Sequence, residues 1–209
     1  MKTKLKIVLT ALELFNERGE RNVTTNHIAE NLNISPGNLY YHFRNKQEII
    51  HSIYDMYENE LLASFAPRES DNSVKIFETC MGSIFNMMWK YRFFYSNLPE
   101  ILSNDTELHA RYSATQTRLR ENLRRICLQF REAKLLEMSD KEQETTITTM
   151  HLITTNWFNY QTALKCGTKV IKSDVISGVK QMLSVVQPYT TSKGNSILLS
   201  CIARMLDNG

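Results

Sequence analysis

The stretch Ser35 to Phe43, SPGNLYYHF, decides how the rest of the chain is read. Ser35 can accept from the first unpaired backbone N–H groups of a helix, Pro36 suits the first helical position because no N–H is needed there, and Gly37 leaves the backbone bare. A short helix therefore begins at a well-specified place. Leu39 and Phe43, four apart, share one face, while Gly37, Asn38, Tyr41 and His42 gather on the opposite face. The first face needs a core. The second offers donors and acceptors without an isolated charge, as suits a recognition helix entering a DNA groove.

The flanking residues supply the frame such a helix needs. Leu5, Val8, Leu12 and Phe15 recur at steps of three and four, predicting a first helix over residues 5–18 that Gly19 ends. Thr24 and Thr25 precede Ile28, Ala29 and Leu32, predicting a second helix capped by Thr25, with Ile28 and Leu32 on its buried side. Asn33 falls at the tight turn before SPGNLYYHF, where a positive φ is needed and Asn is the best substitute for Gly. Two short helices around such a turn match a helix-turn-helix. Downstream, Asn45, Lys46, Gln47 and Glu48 read as a capping box with Asn in the cap position, opening a fourth helix. Lys46 then lies at a helix N-terminus, where unpaired N–H groups favour an anion.

Taken in order, the amphipathic first helix, the TT before an IA pair, SPGNLYYHF and NKQE closely resemble the DNA-binding head of TetR-family transcriptional regulators, over roughly residues 5–50. The resemblance implies that Thr25, Ser35, Tyr41, His42 and Lys46 contact backbone phosphates, and that Pro36, Gly37 and Asn38 meet base edges. Elementary chemistry supports that division: hydroxyls, an ammonium and helix N-termini position a protein on phosphates, and only a protruding face reaches bases. Two positions depart from the family pattern. Asn33 stands where Gly is usual, and Pro36 where many members carry Lys or Arg. Tyr40 is read as a core or rim aromatic, and His27 and His51 as surface residues.

Composition agrees with an all-α chain. Only 7 Gly and 4 Pro occur in 209 residues, and apolar residues recur at helical spacing nearly throughout. The net charge of +3 is too small to mark a nucleic-acid binder by itself. Up to Lys46, however, Lys2, Lys4, Lys6, Arg18, Arg21, Arg44 and Lys46 face only Glu13, Glu17, Glu20 and Glu30, so the head is mildly basic. The N-terminal lysines form an arm expected to add salt-dependent, sequence-independent affinity for DNA. Cys80, Cys127, Cys166 and Cys201 are widely spaced without a metal-ligand pattern and read as small apolar core residues. The chain lacks a membrane-length apolar run and a signal peptide, so a cytoplasmic location and no membrane partner are expected.

Beyond the head, the fourth helix continues through Ile49, Ile53, Met56 or Tyr57, and Leu61, toward a turn-rich junction at Pro67 to Ser73. Further helices are predicted over residues 74–91, 105–136, 139–165, 175–186 and 197–206. The Thr-rich TTITT alternates like a strand, but the later Trp157, Phe158 and Leu164 favour helix. The segment Arg92 to Leu102, RFFYSNLPEIL, is dense in aromatics, is broken near Pro99, and is similar to the C-terminal domain of one bacterial TetR-like repressor subgroup.

The expected architecture is a three-helix head (1–48), a connecting fourth helix (49–66) and a helical ligand-binding and dimerisation body (67–209). Phe85, Met88, Trp89, Phe94, Tyr95, His109, Tyr112, Phe130, His151, Trp157 and Tyr160 are candidates to line a cavity for a small apolar or amphipathic effector. Trp157, Leu164, Val175, Gly178, Val179, Met182 and Val186 are candidates for a four-helix dimer interface, the place where TetR-like proteins pair. Two copies would read a roughly palindromic operator. No nucleophile, base, metal or cofactor pattern is present, so neither enzymatic activity nor a cofactor is expected. The expected function is a homodimeric repressor released from its operator by a small molecule. The alternative is a dimeric small-molecule binding protein or scaffold that does not bind an operator.

Overall fold

A computed structural model describes residues 3–67, 73–165 and 170–207. Most of the junction expected at Pro67 to Ser73, together with Lys2 and Cys166, lies outside these residues. Ten α-helices and no strand occur among them. The head comprises α1 (Thr3–Arg18), α2 (Thr25–Asn31) and α3 (Pro36–His42), and α4 (Lys46–Ser64) leads away from it. Gly19 ends α1 at φ +81°, and Asn33 takes φ +52° in the turn before α3, the left-handed conformations the sequence calls for. Ser35 caps α3 by accepting from Asn38 N–H at 3.2 Å. Leu39 and Phe43 are buried against the core of the head.

Two caps differ from expectation. The residue capping α2 is Thr24, whose hydroxyl accepts from His27 N–H at 3.3 Å; Thr25 is already helical. Asn45 caps α4 by accepting from Glu48 N–H at 2.9 Å. Glu48, however, reaches one residue further back than a reciprocal box requires, to Arg44 N–H at 2.9 Å.

The body is formed by α5 (Ser73–Lys90), α6 (Arg92–Ser103), α7 (Thr106–Glu132), α8 (Asp140–Leu164), α9 (Lys172–Val186) and α10 (Ser192–Asp207). Pro99 cannot donate to the carbonyl four residues earlier, and α6 kinks at Asn97, which leaves helical geometry at φ −125°. Helix α7 stops before the expected Leu136. Lys134 turns at φ +55°, and Leu136 instead pairs with Thr190 as an isolated antiparallel bridge. The Thr-rich stretch is helical, and its hydroxyls are accommodated by bonding back to carbonyls four residues earlier, Thr145 to Lys141 at 3.0 Å and Thr149 to Thr145 at 2.8 Å. Helix α10 begins earlier than expected at Ser192; Gly194 allows its first turn to lie on the Leu135 carbonyl, which a Cβ would meet at 2.0 Å.

Buried apolar side chains of head and body form one continuous cluster. Helix α1 takes part in joining the two. Phe15 packs on Phe93 of α6 with ring centroids 5.3 Å apart. Asn16 donates to Lys90 O at 2.8 Å and accepts from Phe93 N–H at 3.0 Å. Helix α4 is fastened to α7 by Arg111, which donates to Asp55 at 2.7 Å and Glu58 at 3.0 Å, and by the buried Thr115 hydroxyl, which accepts from Tyr54 at 2.9 Å and donates to Glu58 at 2.6 Å.

The expected pairing surface needs correction. Val175, Gly178, Val179, Met182 and Val186 are buried within the protomer, because α9 turns its apolar face onto α8 and α5. Gly178 accommodates Trp157 of the same chain, whose Nε1–H donates to Asp174 O at 2.6 Å. Among the seven candidates, Leu164 is well exposed, at 65%.

Candidate nucleic-acid interface and cavity

The outward face of α3 is open. Pro36, Gly37, Asn38 and Tyr41 are exposed, Tyr41 at 85%, and His42 is half-buried with its ring edge-on to Tyr41 at 5.1 Å. Ser35 is exposed although its hydroxyl is used as the cap. The Thr25 hydroxyl lies 3.0 Å from that of Tyr40, an exposed residue, so Tyr40 ties the start of α2 to α3 across the turn. Sequence reasoning passed over this pair because partners fifteen residues apart leave no periodic signal.

Lys46 is placed differently from the expected phosphate contact. Its ammonium points inward, 2.6 Å from Glu20 Oε1, and donates to Glu20 O at 3.1 Å and Val23 O at 3.2 Å. Glu20–Asn22 form a single 3₁₀ turn, and the ammonium supplies donors to carbonyls at its end. At the start of α4 the exposed residues are Asn45 and Gln47.

In the body, a cavity of about 470 Å³ lies between α4, α6, α7 and α8 and touches α5 and α9. This is within the range of roughly 300–1,000 Å³ common for small-molecule sites. Tyr95, His109, Tyr112 and His151 line it as expected. The other candidates do not. Met88, Phe94 and Phe130 are consumed by the core, Phe94 against Tyr54 and Tyr57 and Phe130 against Phe77. Phe85 packs on the core edge, Trp89 stacks on Arg92 with the guanidinium 4.1 Å from the ring centroid, Trp157 covers Gly178, and Tyr160 faces outward.

Residues missed by sequence reasoning complete the wall. Tyr57 and Leu61 come from α4 and Phe65 from its C-cap, Gln116, Leu119 and Arg120 from α7, and Ile147 and Met150 from α8. The signal was available in part: Tyr112, Leu119 and Leu123 belong to the inward stripe of α7 yet are only half-buried, because they border empty space. Burial keeps the phenols of Tyr57, Tyr95 and Tyr112 neutral, their pKa values well above the usual 10, and Tyr95 donates to Tyr57 at 3.3 Å. Burial likewise pushes the Cys127 thiol up to about 11, which leaves little thiolate at neutral pH. Among the described residues no group of three or more His, Cys, Asp and Glu side chains is placed to hold a metal ion. No helix among them is long and apolar enough to cross a membrane.

A helix-turn-helix head on a helical body that holds a cavity is the architecture of a DNA-binding regulator. Residues 7–53 match the family described as bacterial regulatory proteins, tetR family, and residues 56–198 match the family described as bacterial transcriptional repressor, TetR. The chain belongs to the TetR family. A solved structure of a TetR-family transcriptional regulator from Marinobacter aquaeolei is 33% identical, with a TM-score of 0.84 over 98% of this chain and 99% of that one. The biofilm operon icaADBC negative transcriptional regulator IcaR of Staphylococcus epidermidis is 30% identical over 112 residues, 51% of this chain and 60% of that protein. The class A tetracycline repressor from transposon 1721 of Escherichia coli is 34% identical over 73 residues, 34% of each chain. The match thus spans less than two thirds of the length of these two relatives. Regulators of the family bind operator DNA and act as dimers.

Proposed function

We propose that this chain is a transcriptional repressor that binds a two-fold symmetric operator as a homodimer and is released from it by a small molecule in the body cavity. The observation that carries this reading is the path of α4. Its N-terminus stands beside α3, and near its other end Tyr57, Leu61 and Phe65 form part of the cavity wall. A ligand that favours one position of α4 would thereby favour one position of the head. Helix α6 offers a second link, since Phe93 packs on α1 while Tyr95 and Leu102 line the cavity.

On DNA, Ser35, Thr25, Tyr41 and His42 would meet phosphates, joined by the first-turn N–H groups of α4 in place of the Lys46 ammonium. Pro36, Gly37 and Asn38 would meet base edges. The division into a reading head (1–48), a connecting helix (49–66) and a sensing and pairing body (67–209) follows from these roles. Pairing is assigned to the outer face of α8, where Leu152, Asn156, Tyr160 and Leu164 recur every four residues; the three apolar members are 57%, 55% and 65% exposed.

Two α3 variants measured by fluorescence anisotropy on operator and scrambled duplexes test the reading. Tyr41→Phe combined with His42→Ala should weaken binding to all sequences, whereas Asn38→Ala should chiefly erode the preference for operator. Unchanged DNA affinity in both would leave a ligand-binding scaffold.

A further inference from the structure

The ionisable groups of the cavity wall, its neutral phenols aside, are all basic. Arg120, Arg124, His109 and His151 line it, and no Asp or Glu among the described residues does. Glu144 of α8 answers both guanidiniums, but unequally. Its two oxygens accept from Arg124 at 2.5 and 2.8 Å, whereas Arg120 reaches it only at 3.5 Å and otherwise donates to the Thr148 hydroxyl at 3.0 Å. A guanidinium has five N–H donors in a planar fork that fits a carboxylate. Arg120 therefore keeps donors for another anion.

On the same wall, His151 Nε2 is buried without a hydrogen-bond partner. Nearly all buried polar atoms of folded proteins are satisfied, so an orphan on a side chain that lines a cavity is a point where a ligand atom would supply the missing bond. Burial, and then the nearby Arg120 cation, hold the His151 pKa below the usual 6.5. The imidazole is accordingly neutral at pH 7, with one nitrogen able to donate. Leu119, Leu123, Ile147 and Met150 supply apolar wall around these two polar residues.

Resting on the ligand-binding reading above, we infer that the cavity takes an amphipathic monocarboxylate, its apolar body against Leu119, Leu123, Ile147 and Met150 and its carboxylate received by Arg120 and His151. Charge decides among the classes of amphipath. A carboxylate answers both Arg120 and His151 Nε2. An alcohol of the same skeleton satisfies the histidine but leaves the arginine under-paired, and an ammonium is repelled by Arg120.

Calorimetric titration of the full chain at pH 7 with decanoate, decan-1-ol and decylammonium, each below its micelle concentration, tests the assignment. Decanoate should bind at least ~10-fold more tightly than either isostere, equivalent to about 1.4 kcal/mol. Arg120→Gln should remove that advantage while leaving decan-1-ol affinity unchanged, which also reports that the variant is folded. The assignment is overturned if decanoate does not bind, if the alcohol or ammonium binds as tightly, or if a folded Arg120→Gln retains the preference. Where Arg120→Gln fails to fold, the ranking of the three ligands on the unaltered chain decides. Operator release is measured separately by anisotropy: decanoate that binds without loosening DNA refutes the release mechanism but keeps the ligand class, and release by decan-1-ol with no decanoate binding does the reverse.

Discussion

A Cβ added at Gly178 would sit 2.6–2.8 Å from three ring atoms of Trp157, a rigid side chain whose Nε1–H is already committed to Asp174 O. Gly178→Ala is therefore expected to destabilise the folded chain by about 1–3 kcal/mol, read as a fall in denaturation midpoint. That single residue also shows where sequence reading ends. A glycine on an apolar helix face announces a close approach, but whether the visitor is a second copy or the chain's own tryptophan depends on a contact between residues 157 and 178, far apart in sequence. Lys46 teaches the same lesson. Its position at a helix start was legible, whereas the inward course of its side chain to Glu20 and Val23 depends on the tertiary fold. Asn33, by contrast, was readable because a positive φ is a local demand that few side chains meet.

Among elements, α4 and α7 hold the most consequential contact. Thr115 is fully buried between Tyr54 and Glu58, and Thr115→Val would orphan the Tyr54 hydroxyl and take a donor from the Glu58 carboxylate. A loss of about 1–3 kcal/mol in unfolding free energy is expected, measured by urea denaturation. Burial alone would raise the Glu58 pKa, yet the bonds from Thr115 and Arg111, with the charge of Arg111, hold it below the usual 4.5. A carboxylate with a depressed folded pKa contributes stability that is full above its unfolded pKa and is lost as pH falls through the folded value. Glu58→Gln should thus destabilise at pH 7, and the gap from the unaltered chain should close below about pH 4. A gap that persists unchanged at pH 3 would contradict this assignment. Helix existence and order were legible at this scale, because apolar spacing and caps are local. Endpoints were less so: α7 is ended by Lys134 and the Leu136–Thr190 bridge, and α10 starts early because Gly194 clears the Leu135 carbonyl.

For the whole molecule, the cavity explains why aromatic content foretold a pocket but misassigned much of its wall. Phe94 and Phe130 are large and apolar, so the core takes them, while the wall draws on less conspicuous residues such as Gln116, Leu119 and Met150. The proposed pairing surface is similarly displaced, from the face of α9 that is buried in the protomer to the exposed outer face of α8. Tyr160→Glu with Leu164→Glu should convert the dimer to monomer in light scattering at micromolar concentration while leaving the helical circular dichroism unchanged, since both side chains are exposed in the protomer.

Selection of bound duplexes from a random pool by the full chain asks whether two copies of α3 read one operator. Two paired heads should enrich a two-fold symmetric sequence, its half-sites spaced by one helical turn of ~10 base pairs or a small multiple. Enrichment of no sequence, or of a single unpaired half-site, would contradict it.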